Sequence, residues 1–214
     1  MSVLSNNVIA GASIAEEATG DFQIEKSLRF NSADSNYLSR DFGHGNRRTW
    51  TWSGWVKRAN FGGGIDLWGS WLNDNNYEQL RFQVDDIQWT AYVGNGSVEN
   101  GGGTASIKLR DPSAWTHICV SKDTTQSVAS ERQKVYINGK PVSLSGTFND
   151  NAPGMVNNNK THRIGTFRGY DQFFSGNMAD VYFIDGLALS AAAFGSFDST
   201  GVWNPKAFAL PALN

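Results

Sequence analysis

The residues able to do chemistry in this chain are dispersed. Cleaving a glycosidic bond takes two carboxylates flanking it, about 5–5.5 Å apart in a retaining enzyme. On a strand, side chains at i and i+2 share a face, so Glu-x-Asp would be the simplest local source of a pair. None of the six glutamates (Glu16, Glu17, Glu25, Glu78, Glu99 and Glu131) has an acid two residues on. Asp85 and Asp86 are adjacent and point to opposite faces, while Asp180 and Asp185 stand five apart at a strand end. No Gly-x-Ser-x-Gly elbow occurs. His117 and Cys119 share a strand face, as a Cys–His pair would. No helix N-terminus or oxyanion-hole loop accompanies them, and two neighbours in a β-sheet core is the favoured reading. His44, His117 and His162 are far apart and Cys119 is the sole cysteine, which argues against zinc and against an internal disulfide. The run Gly101-Gly102-Gly103-Thr104 lacks the lysine and following helix of a phosphate loop and reads as flexible loop.

The eight tryptophans suggest another chemistry, the stacking of aromatic faces on sugars. Trp50, Trp52 and Trp115 lie in strand patterns and are assigned to the core. Trp68, Trp71, Trp89, Tyr92 and Tyr170 flank turns and are the carbohydrate-binding candidates, one or two of them forming a recognition surface. Arg47-Arg48 reads as a solvated turn.

The elements that must position these residues are strands. The chain has 214 residues, 40% hydrophobic, 13% aromatic and 18% charged, which suits a single all-β domain. Its 18 basic residues are scattered among 20 acids, so no basic footprint for nucleic acid exists. No apolar run is long enough to span a bilayer. The first twenty residues lack Lys and Arg and a continuous apolar stretch, so no signal peptide is expected. Thr49–Arg58 starts by alternating strictly, the mark of a half-buried strand. Further strands are expected over 27–31, 65–72, 77–84, 87–93, 105–109, 115–122, 134–137, 162–167 and 176–184. Asn138-Gly139 signals a hairpin, and Asp85-Asp86 turns one strand into the next. Residues 94–103 and 149–159 read as long surface loops. A short helical turn is expected near 190–195, capped by Ser190, and another over 14–18. The fold class is therefore all-β, two packed antiparallel sheets. The domain reading is an N-terminal arm over 1–26, a sandwich over 27–197 and a C-terminal tail over 198–214, the arms lying outside the sandwich.

Four ordered blocks carry a family resemblance. Leu28-Arg29-Phe30-Asn31-Ser32-Ala33-Asp34-Ser35-Asn36-Tyr37-Leu38 resembles the opening strand and turn of laminin-G-like, concanavalin A-like lectin modules. Thr51-Trp52-Ser53-Gly54-Trp55-Val56-Lys57 looks like their second strand. Trp115 to Asp123, followed by Lys134-Val135-Tyr136-Ile137-Asn138-Gly139-Lys140, is similar to their central hairpin. Phe174 to Ser190 looks like the closing strand and short helix. The resemblance implies a jelly roll without enzymatic activity. It also implies a calcium site near the first turn, with Asn31, Asp34 and Asp180 as the candidate ligands and Ala179 where the family has a second acid. Ser27–Asn31, Thr51–Arg58 and Asp180–Gly186 further resemble modules in virion proteins of tailed phages of aquatic bacteria. That second likeness implies a virion structural protein, a head decoration, head fibre or tail component, assembled in the host cytoplasm. Its partners would be other capsid or tail proteins and further copies of itself, with neither nucleic acid binding nor membrane insertion. Val3, Leu4, Val8 and Ile9 would dock the arm onto the particle. The alternatives are a carbohydrate-binding lectin or adhesin recognising host surface glycans and, less favoured, a glycoside hydrolase.

Overall fold

A computed structural model describes residues 22–94 and 99–210. Apolar residues alternate with polar ones along most segments, and period two turns one face of each strand toward the interior; β3, expected half-buried, and β8 are buried on both faces, because the C-terminal residues cover the outer one. The strands are β1 (Leu28–Phe30), β2 (Leu38–Asp41), β3 (Thr49–Arg58), β4 (Gly63–Asn73), β5 (Asn76–Gln83), β6 (Asp86–Tyr92), β7 (Glu99–Lys108), β8 (Thr116–Asp123), β9 (Gln133–Ile137), β10 (Lys140–Val142), β11 (Thr161–Ile164), β12 (Gly176–Asp185), β13 (Gly195–Phe197) and β14 (Trp203–Pro205). The first sheet has the order β1-β12-β3-β8-β9-β10 and the second β2-β11-β4-β5-β6-β7, every pairing antiparallel. This is the expected two-sheet sandwich. Between the sheets lie Trp50, Trp52, Trp68, Leu80, Phe82, Ile87, Trp89, Ile118, Val120, Phe148 and Phe174, all essentially without exposure. No helix among the described residues is long and apolar enough to cross a membrane.

The core also holds an ion pair. Glu78 of β5 and Lys122 of β8, both fully buried, meet across the two sheets with Nζ 2.9 Å from Oε1. The Glu78 carboxylate also accepts from Val156 N (3.3 Å) and Trp89 Nε1 (3.4 Å). Lys122 Nζ stands 4.1 Å from the Phe148 ring centroid. Burial pulls the lysine pKa down and the Glu78 charge opposes that pull. Gly154 closes over the pair, because a Cβ there would come 1.9 Å from Glu78 Oε2.

Several expectations change. Residues 99–103 are strand, so the glycine run belongs to β7. Gly101 (φ 139°) and Gly102 (φ 136°) admit no Cβ, which would fall 2.2 Å from Phe148 Cα and 2.1 Å from Trp89 O. Residues 149–159 form a loop, yet Met155, Val156 and Asn157 within it are buried. Arg47 and Arg48 are half-buried and pin that loop, donating from Nε to Gly154 O (2.7 Å) and Asn151 O (2.9 Å), rather than lining a solvated turn. Trp115 is 38% exposed and outside the core, since β8 begins one residue later. The helical turn is a 3-10 turn over Ala191–Ala193, which Ser190 does not cap through its side chain. Residues 198–208 are not a free tail. β13 and β14 form a hairpin whose Trp203 and Phe194 pack with Trp55, Cys119, Tyr136, Tyr182 and Ile184 on the outer face of the first sheet. The expected helical turn over 14–18, and most of the arm over 1–26, lie outside the described residues.

Candidate functional site

The hairpin on the first sheet leaves the outer face of the second sheet as the accessible one. On β5 the inward Glu78, Leu80 and Phe82 alternate with Tyr77, Gln79 and Arg81. On β6 the inward Ile87, Trp89 and Ala91 alternate with Gln88, Thr90 and Tyr92. Antiparallel register turns these alternations into rows. Trp71 of β4 lies opposite Tyr77, which lies opposite Tyr92, so three neighbouring strands present an aromatic residue at the same level. The Tyr77 and Tyr92 rings are 5.0 Å apart. Beyond β11, the loop over 165–174 adds Phe167, 5.3 Å from the Tyr77 ring, and Tyr170, edge-on to Trp71 at 5.8 Å. Tyr170 is 59% exposed, the most open ring of this shelf.

The next row reads Gly69, Gln79, Thr90, Gly102, and the one after it Asp66, Arg81, Gln88, Thr104. Beside the shelf these rows open into a groove of about 300 Å³, lined by Gln88, Thr90, Gly101–Gly103, Thr104 and Ser145–Thr147. Its lining is hydroxyl, amide and bare backbone, with no charged side chain. Arg81 Nε donates to Gln88 Oε1 (2.7 Å) and orients that amide. Among the described residues, Gln79 Oε1 and Trp71 Nε1 are buried without a hydrogen-bond partner, which is unspent capacity next to the shelf.

The carbohydrate-binding candidates divide. Trp71, Tyr92 and Tyr170 come together on the shelf. Trp68 and Trp89 do not: at 2% and 0% exposure their rings are spent on core packing against Trp50, 5.1 and 5.2 Å away. A register shift between Asp66 and Trp68 turns Trp68 inward, opposite Leu80. Tyr77, Phe167 and the groove residues were not anticipated. The signal for them was the polar alternation Gln79-x-Arg81 and Gln88-x-Thr90-x-Tyr92 on two strands joined by a tight turn.

The proposed calcium ligands do not converge. Asn31 Nδ2 donates to Asp34 Oδ2 (2.6 Å) and Asn31 Oδ1 accepts from Ala33 N, so both residues shape the first turn. Phe30 lies opposite Gly176 and Leu28 opposite Met178, which puts Asp180 further along β12, away from Asn31. Five residues of strand span roughly 16 Å, whereas calcium holds each oxygen at about 2.3–2.6 Å. Asp180 sits instead at a bulge, with φ 45°. Among the described residues no three His, Cys, Asp or Glu side chains gather as a metal site. Val3, Leu4, Val8 and Ile9 lie outside the described residues.

The His117–Cys119 pair shares a face under the C-terminal hairpin. His117 Nε2 meets Ser53 Oγ at 2.9 Å, and both histidine and cysteine are buried. Desolvation lowers the imidazole pKa to about 4 and raises the thiol well above its ordinary value. A thiol held neutral is a poor nucleophile. Asp66, fully buried beside the shelf, has its carboxyl raised to about 8 by desolvation.

A family model described as the concanavalin A-like lectin/glucanases superfamily matches residues 31–193. No curated protein matches the sequence. Among solved structures, domain 4 of AbnA, an extracellular arabinanase from Geobacillus stearothermophilus in complex with arabinotriose, superposes with a TM-score of 0.57 at 19% identity, covering 84% of this chain and 78% of that one. NanB sialidase from Streptococcus pneumoniae (K499G mutant) gives 0.54 at 15% identity, covering 82% and 30%. A leech intramolecular trans-sialidase gives 0.50 at 13%, covering 74% and 26%. At these identities the likeness is one of fold.

Proposed function

Because the chain belongs to the concanavalin A-like lectin/glucanases superfamily, and because its accessible sheet face joins an aromatic shelf to an uncharged groove, we propose that it is a non-catalytic module that binds neutral oligosaccharides. The observation carrying this reading is the alignment of Trp71, Tyr77 and Tyr92 at one level across three strands, with Tyr170 leaning on Trp71. A sugar ring has an apolar C–H face that packs on such rings and hydroxyls that exchange hydrogen bonds with groups like Gln88, Thr90 and Thr104. The groove offers no cation to an acidic sugar. It also lacks the pair of carboxylates that hydrolysis requires, and the nearby Asp66 is closed under a loop.

We further propose that this binding serves a phage particle, where the sequence likeness to virion modules supports display in several copies and adhesion to host glycans. Co-purification of the chain with particles tests that setting separately. The binding itself is tested by titrating the full chain with neutral and acidic oligosaccharides, arabinotriose among the neutral ones. Neutral sugars bind, and Trp71→Ala or Tyr170→Ala each weakens them about tenfold, or roughly 1.4 kcal/mol. Binding of acidic sugars only, or of none, overturns the reading.

A further inference from the structure

The shelf and the groove share one strand. Tyr92, Thr90 and Gln88 stand at every second position on the outer face of β6. Tyr92 belongs to the shelf, while Thr90 and Gln88 line the groove. The two parts therefore form one lane, and the strand sets its length: residues at roughly 3.3 Å each give about 13 Å from Tyr92 to Gln88.

The lane has fixed sides. Toward β5 the outer face is closed. Gln79, opposite Thr90, is 3% exposed, and a Cβ on Gly69 beyond it would meet Phe167 Cβ at 2.8 Å, so the loop over 165–174 lies directly on this row. One row on, Arg81 Nε reaches across to Gln88 and engages its amide oxygen (2.7 Å), which leaves Gln88 Nε2 as the group offered to the lane. Toward β7 the floor is bare backbone at Gly102, opposite Thr90, and the wall beyond is the segment over 145–147. That wall is tied to the floor. Ser145 N donates to Thr104 O (3.0 Å) and Thr104 N donates to Ser145 Oγ (3.0 Å). The buried Gln133 donates from one amide nitrogen to Gly146 O in the wall and to Gly102 O in the floor (3.4 Å). A lane built in advance in this way needs little ordering when a ligand enters.

Resting on the sugar-binding reading above, we propose that the ligand is a linear stretch of at least three sugar units laid along β6, its first ring on the shelf and its third held by Gln88 and Thr104. A glycosyl unit advances a linear chain by roughly 5 Å, so about 13 Å of strand takes three units, and a single ring reaches one end only. The two ends do different work. The aromatic end supplies contact area whatever hydroxyls a ring carries. The amide and hydroxyl end reads them, because a polar group there is left unpaired by a ring of the wrong pattern. Gln88 and Thr104, opposite one another in register, are thus the specificity-determining pair.

Calorimetric titration of the full chain with linear arabino-, xylo- and cello-oligosaccharides of one to five units tests this. In a series that binds, affinity rises about tenfold or more from one unit to three and less than about twofold from four to five. Gln88→Ala and the shape-keeping Thr104→Val each weaken the three-unit sugar about fivefold and leave the two-unit sugar within about twofold of wild type, whereas Trp71→Ala weakens both alike. A single unit that binds within about threefold of three units overturns the inference and leaves the sugar reading standing. A Gln88→Ala or Thr104→Val chain that keeps the wild-type gain from two units to three does the same. Failure of every length in all three series to bind overturns the sugar reading and this inference with it.

Discussion

Replacing Lys122 with methionine would strip the buried Glu78 of its cation. The side chain keeps its length and sheds its charge. Glu78 would retain the Val156 N–H at 3.3 Å and the Trp89 Nε1–H at 3.4 Å, both long contacts. Arg47, the other cation that acts on Glu78, is half-buried and committed to Gly154 O. Removing one partner of a buried pair costs about 3–5 kcal/mol. The loss should therefore be about 3–5 kcal/mol at pH 7, a fall in Tm of about 10 °C for a chain of this length. The double variant Glu78→Gln/Lys122→Met leaves no bare charge and should recover most of it. Urea unfolding followed by tryptophan fluorescence measures all three chains. A single-variant loss below about 1 kcal/mol, or a double variant no better than the single, would refute the reasoning.

Two further outcomes are expected. His117 and His162 are held neutral by burial, with pKa near 4, and Asp66 is held neutral up to about 8. Between pH 4 and 6.5 the unfolded chain binds two histidine protons that the fold refuses, while the fold keeps one Asp66 proton that the unfolded chain has lost. Net stability then rises by roughly 1.4 kcal/mol per unit up to about pH 6.5 and falls at a similar rate to about pH 8. Melting curves from pH 4 to 9 should peak near 6.5, Asp66→Asn should lose the alkaline decline, and a Tm still climbing at pH 8 contradicts this. Gly139 has φ 77°, and a Cβ there would lie 2.2 Å from Trp203 Cε3. Gly139→Ala should loosen the β13–β14 hairpin, seen as faster amide exchange over 195–205 with β5 and β6 unchanged, whereas unchanged exchange over 195–205 removes the hairpin's dependence on this contact.

How far the fold was legible depended on whether side chains alternated. Thr49–Arg58 was read to its ends, because Trp50 and Trp52 mark one face and the threonines the other. The Asn138-Gly139 turn was read from two residues, since few others accept φ of 47° and 77° together. β7 was missed where three glycines removed the side chains that make a period visible. The positions that set Trp68 inward and Asp180 at a bulge are register shifts, decided by tertiary pairing and silent in a local pattern. The shelf was half-legible for the same reason. Trp71, Tyr92 and Tyr170 could be picked out as turn-flanking aromatics. Their convergence with Tyr77 depends on two hairpin registers and a loop that returns from a hundred residues away. The C-terminal hairpin reads as a tail in the sequence because its anchors, Trp203 and Phe208, are sparse among polar residues, and its partner surface is a sheet face that alternation alone would assign to solvent.

That hairpin has a consequence for valence. On the proposed sugar-binding reading, roofing one sheet with the β13–β14 hairpin leaves a single working side, so each copy would grip one saccharide at a time. Firm attachment to a coated surface would then depend on how many subunits are ranked together and on the spacing between them, a property of the array that no substitution inside one groove can supply.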